Sequence, residues 1–383
     1  MVMSNYMETI INMQMYNHFG QYSMSKKIYE KYHSLIPKDN LYLHNKCLNE
    51  YEIATKKFIL DSKPRNLQVV LFDKCQSNCI MCTQKNKKYN YTLSNNHFNE
   101  IVLLFPYLDT IMWQGGEVFL WRNFVDIIKN TSKYKQITQS IITNFQSIDE
   151  NTIEELSKIN NLKLIISIDG ASKNTYEKIR RGSNFKKLIR NINLLNKYID
   201  KNKSLISLHI NFVILKENYN EILDIIDFAK KYNFHTVSFI ECTSTFDYSN
   251  IFNADIKIQI ENMLKFAMIK AFKNKIGINI QYPSKIFNLK KAENKKKGYM
   301  ICKIPWYKLL LGEDYTFAPE CTCFKRENYY KNKDSLTIFD MWNSDIMQNY
   351  RKHIIGLKEN KKICNSKCIL YAPYYFENMA ISN

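Results

Sequence analysis

Residues 72–82 read Phe72-Asp73-Lys74-Cys75-Gln76-Ser77-Asn78-Cys79-Ile80-Met81-Cys82, directly after the apolar run 67–71. The cysteine spacing, C-x3-C-x2-C, lets one short loop present three thiolates to three corners of an iron–sulfur cube. A structural zinc site needs a fourth ligand, which the loop does not supply. A partial zinc site and unrelated thiols in a reducing compartment are the alternatives for this loop. If the loop holds a cube, its fourth iron stays open to a substrate or cofactor.

At these residues the chain resembles the radical SAM superfamily, whose signature loop has the same spacing. The resemblance implies that Cys75, Cys79 and Cys82 hold a [4Fe–4S] cluster whose open iron chelates S-adenosylmethionine. It also implies the reaction: reductive cleavage of this cofactor to a 5′-deoxyadenosyl radical that abstracts hydrogen from a substrate carbon. Family members often have an aromatic residue before the third cysteine, where this chain has Met81.

Length and composition point to a soluble enzyme. A chain of 383 residues can hold one large α/β domain and a smaller appendage. No window of about eighteen uninterrupted apolar residues occurs, and residues 1–17 contain Glu8 and lack a basic segment, so we expect neither a membrane span nor a signal peptide. We therefore expect a cytoplasmic protein, in which the ten cysteines are metal ligands rather than disulfides.

The formal net charge of +19 raises the question of nucleic-acid binding. The lysines are scattered along the chain, as in Lys201-Asn202-Lys203, and no nucleic-acid-binding motif accompanies them. Solvated lysine-rich loops are therefore the default interpretation, although the charge also suits an acidic substrate.

The pattern of apolar residues predicts a helical extension followed by alternating strands and helices. Residues 7–62 show helical spacing and no strand signal. The predicted strands are Leu67–Phe72, Asp109–Trp113, Gln139–Thr143, Leu162–Ile168, Leu205–Val213 and Thr236–Glu241. The predicted helices between them lie near 95–104, 123–133, 149–159, 174–198, 218–232 and 255–274. Six strand–helix units are too few for a closed barrel, so we predict an α/β fold with a partial, open (β/α)6 TIM-like barrel. The resemblance implies the same fold, and we place the domain boundaries at 1–65, 66–285 and 286–383.

Polar residues just past the strands are candidate site residues, because reactive groups gather at the carboxyl ends of parallel strands. Gln114-Gly115-Gly116-Glu117 follows the second predicted strand. Paired glycines let the backbone approach a ligand closely, and the Glu117 carboxylate can accept an ammonium group. The stretch resembles the family's GGE motif, which binds the amino group of S-adenosylmethionine. An ordinary turn is the alternative.

The third and fourth predicted strands end in further polar residues. Asn144 is followed by Phe145, where the family often has Thr-Asn-Gly. Ser167 and Asp169 share strand parity and are predicted to face the barrel interior. With Arg180 they resemble a family stretch in which the serine contacts the ribose or carboxylate region of the cofactor and the arginine pairs with its carboxylate. A surface helix charge is the alternative for Arg180.

Glu241 and Cys242 lie at the end of the sixth predicted strand. The superfamily uses a residue in this region as a base in dehydrogenation or a thiol as hydrogen donor in epimerisation. A small buried core residue is the alternative for Cys242.

A second group of cysteines follows residue 298: Cys302, Cys321, Cys323, Cys364 and Cys368. A predicted hairpin at 309–317 and a predicted helix from 338 to 353 lie among them. This layout resembles the SPASM and Twitch extensions of radical SAM enzymes, and five thiols favour the Twitch type with one auxiliary [4Fe–4S] cluster. Either Cys321 or Cys323 would be the fourth ligand, and a four-thiolate zinc site is the alternative.

The resemblance leaves the substrate open. A carbohydrate-like small molecule, oxidised or epimerised, is favoured over a peptide, because the N-terminal extension is helical and lacks the strands expected of a leader-peptide module. A peptide-modifying maturase and a non-catalytic iron–sulfur or zinc protein are the alternatives. The expected partners are a reductase or a ferredoxin- or flavodoxin-type electron donor, with no nucleic acid and no membrane.

Overall fold

The computed structural model describes residues 2–82, 91–242, 254–281, 302–313, 316–319, 330–331 and 336–355. Its helices are α1 Val2–His18, α2 Tyr22–Tyr32, α3 Leu41–Ala54, α4 Asn95–Leu104, α5 Phe124–Thr131, α6 Glu150–Leu156, α7 Lys173–Ile179, α8 Phe185–Asn202, α9 Asp224–Lys231, α10 Ala254–Asn274, α11 Ile304–Tyr307, α12 Ile338–Asn343 and α13 Asp345–Ile354. Its strands are β1 Asn66–Val70, β2 Thr110–Gln114, β3 Thr138–Thr143, β4 Leu162–Ser167, β5 Ser207–Ile214, β6 Thr236–Glu241, β7 Gly277–Gln281, β8 Lys308–Leu311, β9 Thr316–Ala318 and β10 Tyr330–Lys331.

The described residues fall into two compact units. The first draws on Met1–Val69, Leu93–Ile111 and Asn288–Asn383, and the second on Val70–Thr92 and Met112–Phe287. Among the described helices, none has both the length and the apolar character needed to cross a bilayer.

An open parallel sheet organises the second unit. Strands β2 to β7 lie in chain order, and β3 to β7 pair in parallel with their neighbours. Alternate residues such as Leu164, Ile166, Phe212 and Phe239 are fully buried, which gives one face of the sheet a continuous apolar core. The prediction of a mixed α/β fold with an unclosed parallel sheet is confirmed. Strand β7 was not predicted, because the short alternation of polar and apolar residues in Gly277–Gln281 is a weak strand signal.

Two predicted helices are each divided in the structure. The segment predicted as one helix over 174–198 forms α7 and α8, because Gly182 adopts a left-handed φ of +82° and Asn184 caps α8 by accepting from Lys187 N. The segment predicted over 338–353 forms α12 and α13, and Ser344 caps the second of them.

The first unit contains the helical N-terminal segment that the sequence predicts. Helices α1 and α3 bury Ile10, Met13 and Cys47 in one apolar cluster. A buried ion-pair network joins Arg65 to Glu50 at 2.6 Å and to Asp109 at 2.7 Å. In the same unit β8 pairs in parallel with β1 and antiparallel with β9, and the second pairing forms the predicted hairpin.

Candidate active site around the three-cysteine loop

The three-cysteine loop is held by backbone hydrogen bonds to the last residue of α7 and to the segment that follows this helix. Asn78 N donates to Arg181 O at 2.7 Å, and Ile80 N donates to Ile179 O at 2.9 Å. Gly182 passes so close that a Cβ there would lie 3.1 Å from Gln76 O. The segment 179–182 therefore positions the loop.

The Gly115-Gly116-Glu117 segment supports the loop from another side. Gly116 N donates to Phe72 O and Glu117 N donates to Lys74 O, both at 2.8 Å. A Cβ on Gly116 would lie 1.9 Å from Lys74 O, and one on Gly115 would lie 2.4 Å from Phe72 O. The paired glycines thus permit two backbone segments to touch, which no other residue type would allow.

The Glu117 side chain turns into the protein. Its carboxylate accepts hydrogen bonds from Thr143 Oγ1 at 2.6 Å, Asn144 N at 2.7 Å and Phe119 N at 3.3 Å. Burial raises the pKa of Glu117, and these three donors oppose that rise. The carboxylate therefore fixes the turn after β3, while its predicted contact with a cofactor ammonium remains a prediction.

Asn144 lies against the loop. Its Nδ2 is 3.6 Å from Cys75 Sγ and 3.4 Å from Ser77 Oγ, and its Oδ1 accepts from Gln76 Nε2 at 3.0 Å. The next residue, Phe145, has a left-handed φ of +58°, which explains why the family often has glycine there. In this chain, complete burial of the Phe145 ring offsets the free-energy cost of the left-handed backbone conformation.

Asp169 and Arg180 form a buried ion pair. Arg180 Nη2 lies 2.7 Å from Asp169 Oδ2, and Asp169 Oδ1 accepts from Val213 N at 2.7 Å. Arg180 is only 8% exposed, so it is not a surface helix charge. Its Nη1 lies 3.9 Å from Cys79 Sγ, which brings a cation to the loop.

Burial is the main cause of the raised pKa values of two thiols in the loop. It raises the pKa of Cys79 to about 11, opposed by the positive charge of Arg180, and it raises the pKa of Cys75. Such thiols become thiolates when a metal replaces their protons. Three cysteine ligands on one short loop fit an iron–sulfur cube, because such ligands bind separate irons.

The remaining predicted residues of the barrel lie on or near the sheet. Ser167 is half-buried on the face of β4 opposite the core. Cys242 is buried in an apolar cluster with Ile179, against Ile80 and Met81 of the loop. Glu241 is half-buried, and strand alternation turns it away from the side of Cys242. Catalytic roles for Glu241 and Cys242 remain predictions.

Sequence reasoning missed two residues that hold the loop after β4. Asn218 is fully buried, and its Nδ2 donates to Asp169 O at 3.0 Å and to Val213 O at 2.9 Å. Glu221 accepts from Ala171 N at 2.6 Å. An asparagine four residues past the end of an apolar strand was the available signal, since asparagines in turns often bind neighbouring backbone groups.

Only one of the five C-terminal cysteines lies in the described residues. Cys302 is half-buried two residues before α11. Cys321, Cys323, Cys364 and Cys368 lie outside the described residues. The auxiliary cluster remains a prediction.

Known proteins resemble this chain in sequence over its central part. Residues 69–229 match the family model of the radical SAM superfamily. The GTP 3′,8-cyclase of Synechocystis sp. is 28% identical over 204 residues, which cover 51% of this chain and 60% of that protein. The molybdenum cofactor biosynthesis protein moc-5 of Caenorhabditis elegans is 29% identical over 182 residues, covering 46% of this chain and 29% of that protein. The chain thus spans less than two thirds of the length of these two relatives.

Solved structures show the same fold. SuiB of Streptococcus suis has a TM-score of 0.63 at 17% identity and covers 81% of this chain and 72% of its own. Native anSMEcpe with bound AdoMet has a TM-score of 0.55 at 18% identity, covering 76% of this chain and 84% of its own. The three-cysteine loop, its glycine support and the open parallel sheet agree with the match of residues 69–229 to the radical SAM superfamily model.

Proposed function

We propose that this chain is a radical SAM enzyme that binds a [4Fe–4S] cluster through Cys75, Cys79 and Cys82 and cleaves S-adenosylmethionine reductively. When bound, the cluster and cofactor would supply a 5′-deoxyadenosyl radical that removes hydrogen from a substrate carbon. The observation that carries the proposal is the docking of the three-thiol loop between the Gly115-Gly116-Glu117 segment and Arg180.

Two side chains outside the loop support its thiolates. Arg180 places a positive charge 3.9 Å from Cys79 Sγ, and Asn144 directs an amide donor at Cys75 Sγ from 3.6 Å. Positive charge and N–H donors stabilise sulfur ligands that carry negative charge. The neighbouring Asp169 fixes the orientation of the Arg180 guanidinium. These residues therefore act as positioning residues for the metal ligands.

For the substrate we propose a carbohydrate-like small molecule that is oxidised or epimerised, with Glu241 as candidate base or Cys242 as candidate hydrogen donor. The burial of Cys242 against Ile80 and Met81 supports a position beside the loop. A second candidate is a nucleotide, because relatives from two genera are named GTP 3′,8-cyclase. Peptide modification has in its favour the likeness to SuiB, solved with the precursor peptide SuiA, and to anSMEcpe, solved with the Cp18Cys peptide, but at 17% and 18% identity these likenesses carry the fold alone.

The central test is anaerobic reduction of the reconstituted protein with S-adenosylmethionine, followed by measurement of 5′-deoxyadenosine. Cys79→Ala should abolish the product. Cys47→Ala is the matched control, because Cys47 is a buried thiol in the helical cluster of the first unit and should not affect the product. Equal turnover by Cys79→Ala and the unmodified protein would reject the cluster assignment.

We further propose a Twitch-type auxiliary cluster held by Cys302, Cys364, Cys368 and one of Cys321 and Cys323. Two cubes correspond to about eight irons per chain, and Cys302→Ala should reduce this to about four. Zinc bound in the C-terminal segment would refute the second cluster. The electron donor we expect is a ferredoxin- or flavodoxin-type protein.

The role of Cys242 has its own test. If its thiol returns hydrogen to the substrate radical, turnover in deuterium oxide should label a product carbon, and Cys242→Ser should lose the label. Labelling that persists in Cys242→Ser would remove this role.

A further inference from the structure

Five exposed cations gather where α7 meets α8, beside the three-cysteine loop. They are Lys178, Arg181, Lys186, Lys187 and Arg190, hereafter the basic corner. Phe185 N donates to Glu177 Oε1 at 3.0 Å, so the first turn of α8 is held against the last turn of α7. Lys186 and Lys187 lie in that first turn, and Arg190 lies one turn further along the same face of the helix. The basic corner is therefore one surface of the second unit.

The charges of the basic corner are not balanced by neighbouring side chains. None of its five cations forms an ion pair with a carboxylate in the part of the chain that the structure describes. Between residues 173 and 193 the sequence has one acidic residue, Glu177, and its side chain is half-buried. Other surface lysines do pair, as Lys158 does with Glu155 at 2.7 Å. The basic corner therefore keeps a positive potential that attracts an anionic partner.

The position of two of these lysines does not serve the stability of the helix. Lys186 and Lys187 lie in the first turn of α8, which contains no acidic residue. The N-terminal end of a helix carries a partial positive charge, so acidic side chains stabilise the first turn and basic ones do not. A partner outside the chain explains the two lysines better than the stability of α8 does.

The basic corner adjoins the exposed side of the three-cysteine loop. Arg181 O accepts a hydrogen bond from Asn78 N at 2.7 Å, and Asn78 directly precedes Cys79. Gln76 and Asn78 are exposed, whereas Cys79 is buried. One backbone hydrogen bond and one residue thus separate the surface at Arg181 from a predicted cluster ligand. A protein bound at the basic corner would lie close to the cluster without entering the sheet.

We propose that the basic corner is the docking surface for the acidic electron-transfer protein that reduces the cluster. The inference rests on the proposed function, because reductive cleavage of S-adenosylmethionine needs an electron from outside the chain. In this step the reduced donor loses one electron and the cluster gains it, and no bond in this chain forms or breaks. Opposite charges steer such partners together, and redox complexes use small interfaces that one corner of a domain can supply.

The first experiment measures binding by isothermal titration at low salt. The reconstituted full-length protein is titrated with a purified acidic flavodoxin and, separately, with an acidic ferredoxin, both oxidised. At least one should bind, and its affinity should fall as salt is added. Lys186→Glu/Lys187→Glu should weaken this binding by about 10-fold. The matched control is Lys257→Glu/Lys265→Glu, which reverses two exposed lysines of α10 and should bind as the unmodified protein does.

The second experiment compares two reductants in the formation of 5′-deoxyadenosine. With the reduced donor protein, Lys186→Glu/Lys187→Glu should be about 10-fold slower than the unmodified protein at low salt, and the difference should shrink as salt is added. With dithionite, a small reductant that needs no docking surface, the two proteins should be equally fast. Equal rates with dithionite would also show that the variant holds its cluster and cofactor normally.

Thermal unfolding separates docking from folding. Because acidic side chains are favourable in the first turn of a helix, the Tm of Lys186→Glu/Lys187→Glu should be unchanged or higher. A lower Tm, or an equal loss of rate with dithionite, would show that the lysines support the fold and would overturn the proposal.

Three further results would overturn it. The first is binding of neither donor protein, or binding that is unaffected by Lys186→Glu/Lys187→Glu. The second is an equal loss of binding in Lys257→Glu/Lys265→Glu, which would indicate net charge alone. The third is binding of a DNA duplex in place of either donor, lost in the same variant, which would indicate nucleic acid as the partner. Failure of the unmodified protein to form 5′-deoxyadenosine with dithionite would count against the proposed function alone, and the titration would still decide the docking surface.

Discussion

Arg180 Nη2 lies 2.7 Å from Asp169 Oδ2, while Nη1 of the same guanidinium lies 3.9 Å from Cys79 Sγ. One side chain thus connects the end of β4 to a predicted cluster ligand. Burial lowers the pKa of Arg180, but the negative charge of Asp169 raises it by more, so the guanidinium stays charged. Its buried Nε has no hydrogen-bond partner among the described residues, which leaves one donor for the predicted cofactor carboxylate.

Asp169→Asn should destabilise the protein strongly. The variant keeps the shape of the side chain but leaves the buried Arg180 charge without its counterion, which costs about 3–5 kcal/mol of unfolding free energy. Asp61→Asn is the control, because Asp61 pairs with Lys57 on the surface and should cost less than about 1 kcal/mol. Urea unfolding monitored by circular dichroism measures both, and equal stability of the two variants would contradict a buried ion pair.

Gly116→Ala should separate the glycine segment from the cysteine loop. The added methyl group would lie 1.9 Å from Lys74 O, a backbone atom that can move only with the loop. We expect the unfolding free energy to fall by about 1–3 kcal/mol. We also expect a large fall in the amount of iron bound after anaerobic reconstitution. In the control Gly277→Ala, the closest atom is the Thr236 hydroxyl at 2.8 Å, which can rotate away, so iron content should be nearly unchanged. Normal iron content in Gly116→Ala would show that the loop does not need this contact.

Asn144→Leu should lower the reduction potential of the cluster. Removal of the amide donor near Cys75 Sγ destabilises the reduced, more negative state, and loss of such a partner typically costs about 10- to 100-fold in activity. A potentiometric titration followed by electron paramagnetic resonance measures the shift. The control is Ser183→Ala, which loses a contact to Ser77 Oγ on the same loop but no contact to sulfur. An unshifted potential in Asn144→Leu would exclude the interaction with Cys75.

His209→Gln should flatten the dependence of stability on pH. The folded-state pKa of about 3 lies below the ordinary value of 6.5, so between these values the unfolded state binds a proton that the folded state does not. Stability should therefore fall as the pH drops from about 6.5, by at most about 1.4 kcal/mol per pH unit from this residue. Urea unfolding at pH 7, 6 and 5 tests this. The variant should lose less stability over this range, and parallel curves for the two proteins would contradict a neutral His209.

Part of the site was predictable, because its signals are local. The spacing of Cys75, Cys79 and Cys82 and the Gly115-Gly116 pair are short motifs, and the strands from β1 to β6 follow from the period of apolar residues. The contact between Asn144 and Cys75 joins residues 69 positions apart, and the parallel pairing of β8 with β1 joins residues still farther apart. No periodicity within one segment carries such information.

By itself, the sequence determined the class of fold and predicted the metal-binding loop, because hydrophobic period and thiol spacing are properties of contiguous residues. Only the tertiary structure decided that Glu117 holds a turn and that Arg180 is shared between Asp169 and Cys79. The physical reason is that these relationships depend on strand register and on burial. Both are set when the whole sheet packs, and a change of register by one residue would turn every side chain of the shifted strand to the other face.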